Sequence, residues 1–134
     1  MKYLYLYLIA TIIFFAIDMV WLGWLAKDFY WKKLDFILSD QTNWTAAVVF
    51  YLIYIAGILY FAVVPGLNAG AWQTALMKGA LFGFFCYATY DLTNMALIKG
   101  WPLEIVIVDI IWGTVLTGSV AVLSYLLGQR FLSF

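Results

Sequence analysis

Histidine is missing from this sequence, and cysteine, proline and charged side chains are scarce. Without histidine there is no imidazole to act as a base, and the single cysteine cannot form a disulfide within the chain. A haem or zinc site of the usual His/Cys type is therefore not expected, and any other cofactor is unknown. Seven basic residues balance seven acidic ones, so no excess of positive charge points to nucleic acid as a partner.

Apolar side chains fill the composition instead. Hydrophobic residues make up 67% of the sequence and aromatic residues 21%, whereas soluble domains are about 45–50% apolar. Four long apolar stretches predict membrane-spanning helices at about 3–26, 45–64, 72–98 and 102–127. With a rise of ~1.5 Å per residue, each is long enough for most or all of a ~30 Å hydrocarbon core. The first exceeds the length of a signal-peptide core, so we expect a retained helix.

The predicted fold is all-α, with residues 1–134 forming one transmembrane domain. Short connections between the four helices favour an up-down-up-down bundle. Residues 27–44 are the most polar stretch, and apolar side chains recur there at helical spacing and predict a short amphipathic helix on the membrane surface. A solvated loop with aromatic anchors is the alternative. Pro65 is expected to end the second helix, and Gly128 the fourth.

Three carboxyl groups interrupt the apolar helices. Asp18 is followed three residues later by Trp21, Asp109 by Trp112, and Asp91 by Asn94. Because a charge inside hydrocarbon costs several kcal/mol, an ionisable residue in a span is first considered as part of a functional site.

The predicted topology places these three residues at one depth. The loops at 27–44 and 99–102 lie on the same side, since two spans separate them. Asp18 and Asp91 then lie ~12 Å from that side and Asp109 ~10 Å, at ~1.5 Å per residue. Tyrosines of the second and third helices fall near the same level. The predicted ligand-binding or proton/cation site therefore comprises Asp18, Asp91, Asp109, Asn94, Trp21, Trp112, Tyr51 and Tyr87.

Small residues predict where helices approach closely. Ala75, Gly79 and Gly83 recur every four residues on the third helix, a spacing that lets backbones pack tightly in lipid. The same stripe continues to Asp91, so we expect that carboxyl group to point into the bundle. The alternative is that these three residues form the contact between copies of the chain in a homo-oligomer. Cys86 is expected to be a small core residue rather than a reactive thiol.

Three carboxylates cannot all be charged in a dry cavity that holds no basic side chain. Protonated carboxyl groups hydrogen-bonded to Tyr, Trp or Asn are one solution. A hard cation such as Mg²⁺, Ca²⁺ or Mn²⁺ is another, and its ligands would be Asp18, Asp91 and Asp109. The third is a water-filled cavity that lysines of the polar loops approach. A competing interpretation is that each Asp only hydrogen-bonds one helix to another.

Four motifs give the chain a family resemblance. They are residues 14–23 (FFAIDMVWLG), 90–94 (YDLTN), 101–102 (WP) and 108–118 (VDIIWGTVLTG). The whole chain resembles a family of small bacterial membrane proteins known as domain of unknown function 2177. The resemblance implies a multi-pass protein of the bacterial inner membrane with four spans, and it assigns no activity to any residue.

Three functions fit these features. The leading hypothesis is a membrane-embedded site that binds, and through an Asp pair could process, an amphipathic lipid-like ligand, with membrane lipids as partners. The second is proton- or cation-coupled transport, which four helices would need an oligomer to support. The third is a structural or accessory subunit of a membrane complex. Lysines lie on both sides, so the positive-inside rule only slightly favours a cytoplasmic 27–44 loop.

Overall fold

A computed structural model describes residues 1–39 and 41–134 of the chain. Asp40, part of the predicted polar stretch, lies outside the described residues. The fold is all-helical, as predicted. In chain order the α-helices are α1 (Lys2–Val20), α2 (Lys27–Leu34), α3 (Trp44–Ile58), α4 (Val64–Ala69), α5 (Trp72–Leu97) and α6 (Leu103–Phe131). A π-helical turn, Trp21–Leu25, extends α1, and a second, Leu59–Val63, joins α3 to α4.

Within the described residues, three helices are long and apolar enough to cross a membrane: Lys2–Leu25, Trp44–Ala69 and Leu103–Phe131. Helix α5 has 26 residues but is not among them, because polar residues such as Lys78 and Asp91 lower its mean hydropathy. The prediction of four spans and of an up-down-up-down order therefore stays a prediction. All three candidate spans expose large apolar side chains, for example Ile12, Ile53 and Ile111, as lipid-facing surfaces do.

Close backbone contact joins α5 to α6 in the most extensive helix pair of the fold. A Cβ atom added to Gly79 would lie 2.6 Å from the Cβ of Ala121, and one added to Gly83 would lie 2.7 Å from the Cβ of Thr117. Ala75 packs against Gly66 of α4. These small residues therefore serve packing within the chain. A homo-oligomer stays a prediction, and any contact between copies would use other residues.

Two apolar clusters hold the remaining helices. The larger joins α1, α3 and α6, with Phe14, Ile55 and Leu116 almost fully buried. The smaller packs Leu34 of α2 against Trp101 and Ile105 at the start of α6. The short helix predicted between the first two spans is thus present as α2, and it is docked on the bundle end from which α6 begins.

Two predicted helix ends are wrong. Pro65 does not end the second span, because the π-helical turn before it lets the helix continue to Ala69, where Gly70 stops it with a φ of +66°. Gly128 does not end α6, which continues to Phe131. Gly128 is buried, and a Cβ there would lie 2.9 Å from a side-chain carbon of Leu6, so its glycine serves helix packing.

The α5–α6 contact predicts unequal effects of two glycine substitutions. Gly83→Ala forces a Cβ into α6 and should lower the free energy of unfolding by about 1–3 kcal/mol. Gly23→Ala is the matched control, because no atom lies within 4 Å of a Cβ added there. Thermal and SDS unfolding followed by circular dichroism in detergent measure both. Equal stability of the two variants would contradict the packing described.

Candidate functional site

Two carboxyl groups meet where α5 and α6 pack together. Asp91 is fully buried and Asp109 half-buried, and their carboxyl groups are neighbours that act on each other. Such a contact is favourable only when the pair holds a proton. Within the described part of the chain, neither oxygen of Asp91 has a hydrogen-bond donor. The pair is therefore an acceptor-rich centre that could share, take up or release a proton.

Helix α2 supplies the donor for Asp109. The Tyr30 hydroxyl donates to Oδ1 of Asp109 at 2.9 Å, and the Trp21 indole N–H donates to the Tyr30 oxygen at 3.4 Å. Burial raises the pKa of the Tyr30 phenol, and the negative charge of Asp109 raises it further. The hydroxyl thus stays protonated well above neutral pH, and Tyr30 remains a donor.

The third carboxyl group lies beside this pair on α1. Asp18 is 4% exposed, and its Oδ2 accepts from the Tyr51 hydroxyl at 3.4 Å. The Trp112 indole N–H faces Asp18 but reaches no acceptor at hydrogen-bond geometry in the described structure. The Trp112 ring stacks on Trp21 with centroids 4.4 Å apart, so the two tryptophans of the Asp-x-x-Trp motifs connect α1 to α6.

A groove of about 500 Å³ opens beside the carboxyl pair. Phe50 and Tyr54 of α3 form one wall, and Cys86, Tyr87 and Tyr90 of α5 the other. Asp109 contributes the carboxylate of its lining. The Tyr54 hydroxyl is held by Thr117 at 2.7 Å, and the Tyr87 ring covers Gly113, so these two aromatic side chains are fixed in place.

The structure brings most of the predicted site residues together. Seven of them surround the carboxyl groups or the adjoining groove, namely Asp18, Asp91, Asp109, Trp21, Trp112, Tyr51 and Tyr87. Asn94 is half-buried and lies near the Tyr90 hydroxyl. Across residues 1–39 and 41–134, no three His, Cys, Asp or Glu side chains are grouped to hold a metal ion. The carboxyl geometry thus gives no support to a shared cation on Asp18, Asp91 and Asp109.

Sequence reasoning missed Tyr30 and most of the groove. The sequence places Tyr30 in a predicted surface helix. Its hydroxyl reaches Asp109 because α2 docks on Trp101 and Ile105. An aromatic hydroxyl on the apolar face of an amphipathic helix was the available signal, since a buried Tyr O–H needs an acceptor. Cys86 was expected in the core, yet it lines the groove.

Comparison with known proteins gives one match. The family described as "Predicted membrane protein (DUF2177)" matches residues 3–126, which confirms the resemblance noted in the sequence. No curated protein and no solved structure matches the chain. The site must therefore be interpreted from its own geometry.

Removing one hydroxyl should release α2. Tyr30→Phe deletes the hydrogen bond to Asp109, a bond to an ionisable group worth about 1.5–3 kcal/mol, and leaves the ring in place. We expect faster amide exchange across Lys27–Leu34 in hydrogen–deuterium exchange mass spectrometry. Tyr60→Phe is the control, because the Tyr60 ring is 73% exposed. Unchanged exchange in Tyr30→Phe would show that this bond does not hold the helix.

Proposed function

The chain belongs to DUF2177, a family of predicted membrane proteins of unknown function, and from its site we propose that it binds an amphipathic, lipid-like molecule inside the membrane. One observation carries the proposal: a groove of about 500 Å³ has walls of aromatic side chains and a carboxylate, Asp109, in its lining. Ligand sites are typically apolar clefts in which a few polar groups fix the orientation. The groove volume lies within the ~300–1,000 Å³ usual for such sites.

The arrangement of side chains suggests how the ligand lies. The aromatic walls from α3 and α5 offer an apolar surface for a hydrocarbon tail. Asp109, backed by Asp91 and held by Tyr30, meets the polar group of the ligand. Asp18 is held by Tyr51, on the α1 side of the cluster. The carboxyl pair also provides an acid and a base, should the ligand be processed as well as bound.

The proposed setting is the inner membrane of a bacterium, with α5 as a fourth span. Support for the span comes from packing: α5 contacts α6 from Gly79 to Asp91, so it runs beside a helix that is long and apolar enough to cross. Asp91, one of the polar residues that lower the mean hydropathy of α5, is buried beside Asp109 rather than facing lipid. Four spans give one domain with an up-down-up-down order, and the family resemblance supplies the bacterial membrane.

Transport by an oligomer and a structural role beside a partner subunit stay alternative predictions, because a single chain tests neither. We favour ligand binding over transport and over a structural role, because one chain contains both the groove and the carboxyl group that would hold the ligand. A proton-coupled carrier would use the same Asp91–Asp109 pair, so substitution of the pair alone does not separate these functions. Direct detection of a bound amphiphile does.

If α5 is the fourth span, the two chain termini lie on one face of the membrane and α2 lies on the other. In a Cys86→Ser background, single cysteines at Ser39 and Lys99 should react with a membrane-impermeant maleimide from one face only. Cysteines at Asn68 and Ser133 should react only from the other face. Intact cells and inverted membrane vesicles supply the two exposures. Labelling of positions 68 and 99 from the same face would rule out α5 as a span.

A retained ligand should depend on Asp109. Native mass spectrometry of the purified protein should show a bound lipid-sized mass, reduced at least about tenfold in Asp109→Asn, a change equal to about 1.4 kcal/mol of binding free energy. Asp35→Asn removes an exposed carboxylate outside the groove and is the control. The proposal fails if the wild-type protein carries no lipid from its membrane, or if Asp109→Asn carries as much.

A further inference from the structure

Within residues 1–39 and 41–134, no basic side chain acts on Asp18 or Asp91. The groups that act on Asp91 and Asp18 are another carboxyl group, Tyr51 and Trp112, with no lysine or arginine among them. Tyr30, the donor to Asp109, is uncharged. A shared proton on the Asp91–Asp109 pair still leaves that pair with one negative charge. The centre therefore has an unmatched negative charge beside an apolar groove.

The buried side of the pair also has unused acceptors. Asp91 is 0% exposed, and both of its oxygens lack a hydrogen-bond donor within residues 1–39 and 41–134. Buried acceptors in proteins nearly always have a donor, and each exception calls for an explanation. Asp91 lies behind Asp109 and does not line the groove, so a donor that comes with a ligand would reach the pair at Asp109.

The aromatic walls of the groove, like the carboxyl pair, favour a positively charged group. Four aromatic residues, Phe50, Tyr54, Tyr87 and Tyr90, line the groove. The face of an aromatic ring is negative and attracts a cation, and groups of rings beside a carboxylate are a usual site for ammonium groups. An anionic head group would be repelled by both the rings and the carboxyl pair.

We propose that the polar group of the ligand is a cationic amine, seated on Asp109, the member of the Asp91–Asp109 pair that lines the groove, and against the aromatic wall. This inference rests on the proposed function, because it specifies the head group of the amphiphile bound there. An ammonium ion supplies both of the things that the site lacks, a positive charge and N–H donors. A divalent metal ion fits less well, because the described residues offer no group of three ligating side chains.

Three probes with one tail test the head group. Oleylamine, oleyl alcohol and oleic acid share a hydrocarbon chain and differ in charge, and the amine is protonated near neutral pH. The full-length protein in neutral detergent is titrated with each, and bound fractions are read by native mass spectrometry. We expect oleylamine to bind at least about tenfold more tightly than oleyl alcohol, and oleic acid to bind most weakly. Equal affinities of amine and alcohol, or a preference for the acid, would overturn the inference.

Two variants assign the preference to the site. Asp109→Asn should remove the advantage of the amine over the alcohol, whereas Asp35→Asn should retain it. Tyr90→Leu is a second variant, on a ring that is 56% exposed, so its loss should spare the fold. It keeps an apolar wall and should weaken binding of the amine severalfold more than binding of the alcohol. An amine preference that survives both substitutions would place the cation site elsewhere.

The same titrations distinguish a failure of the proposed amphiphile binding from a failure of the proposed amine preference. If none of the three oleyl probes binds, the groove does not hold amphiphiles. If propylamine, which lacks the tail, binds as tightly as oleylamine, the amine preference stands but the ligand is a water-soluble amine. Both results are distinct from equal binding of amine and alcohol, which overturns the head group alone.

Discussion

Negative charge in an apolar surrounding is the constraint on which this structure depends. Burying a carboxylate without a partner is costly, and the chain places three of them close together. Hydrogen bonds from uncharged donors stabilise two of them: Tyr30 donates to Asp109 and Tyr51 donates to Asp18. Asp91 has Asp109 as its neighbour, so a proton on that pair lowers the cost further. What remains is a negative charge on the pair and an acceptor oxygen of Asp91 that the described residues do not satisfy.

Tight packing of α5 on α6 creates the carboxyl pair. Gly83 and Gly113 let the two backbones approach, and the Tyr87 ring occupies the space that a larger residue at 113 would take. About two turns beyond Gly83 on α5 and one turn before Gly113 on α6, the same faces carry Asp91 and Asp109. Because the two backbones approach closely at these glycines, the two carboxyl groups are neighbours without a ligand. The groove then forms between this pair of helices and α3.

The sequence predicts one depth for the three carboxyl groups, but neither the Asp91–Asp109 pair nor its surroundings. Helical spacing places Asp91 on the stripe of Gly83, and helix packing in lipid favours contact along such a stripe. The position of Tyr30 depends on how α2 folds back onto Trp101 and Ile105. That docking is set by tertiary packing and not by any local pattern.

Helix ends and side-chain directions also depend on tertiary packing, which local sequence patterns do not predict. Pro65 usually ends a helix, but the π-helical turn Leu59–Val63 accommodates it, and no motif in the sequence signals such a turn. Trp21 and Trp112 were placed at the right level, yet their parallel stacking requires particular side-chain rotamers on two helices. Phe50 of α3 and Tyr90 of α5 line the same groove, and a depth argument along each helix cannot detect such a space.

Cys86 allows the most direct test of an amine-bearing ligand in the groove. It is the single cysteine of the chain and lies in the groove lining, so the unmodified protein can be used. The rate at which an apolar maleimide alkylates Cys86 is measured by mass spectrometry with and without oleylamine. The account predicts that oleylamine slows alkylation strongly and that oleic acid at the same concentration does not. An alkylation rate that oleylamine leaves unchanged, or that both additives slow equally, would contradict it.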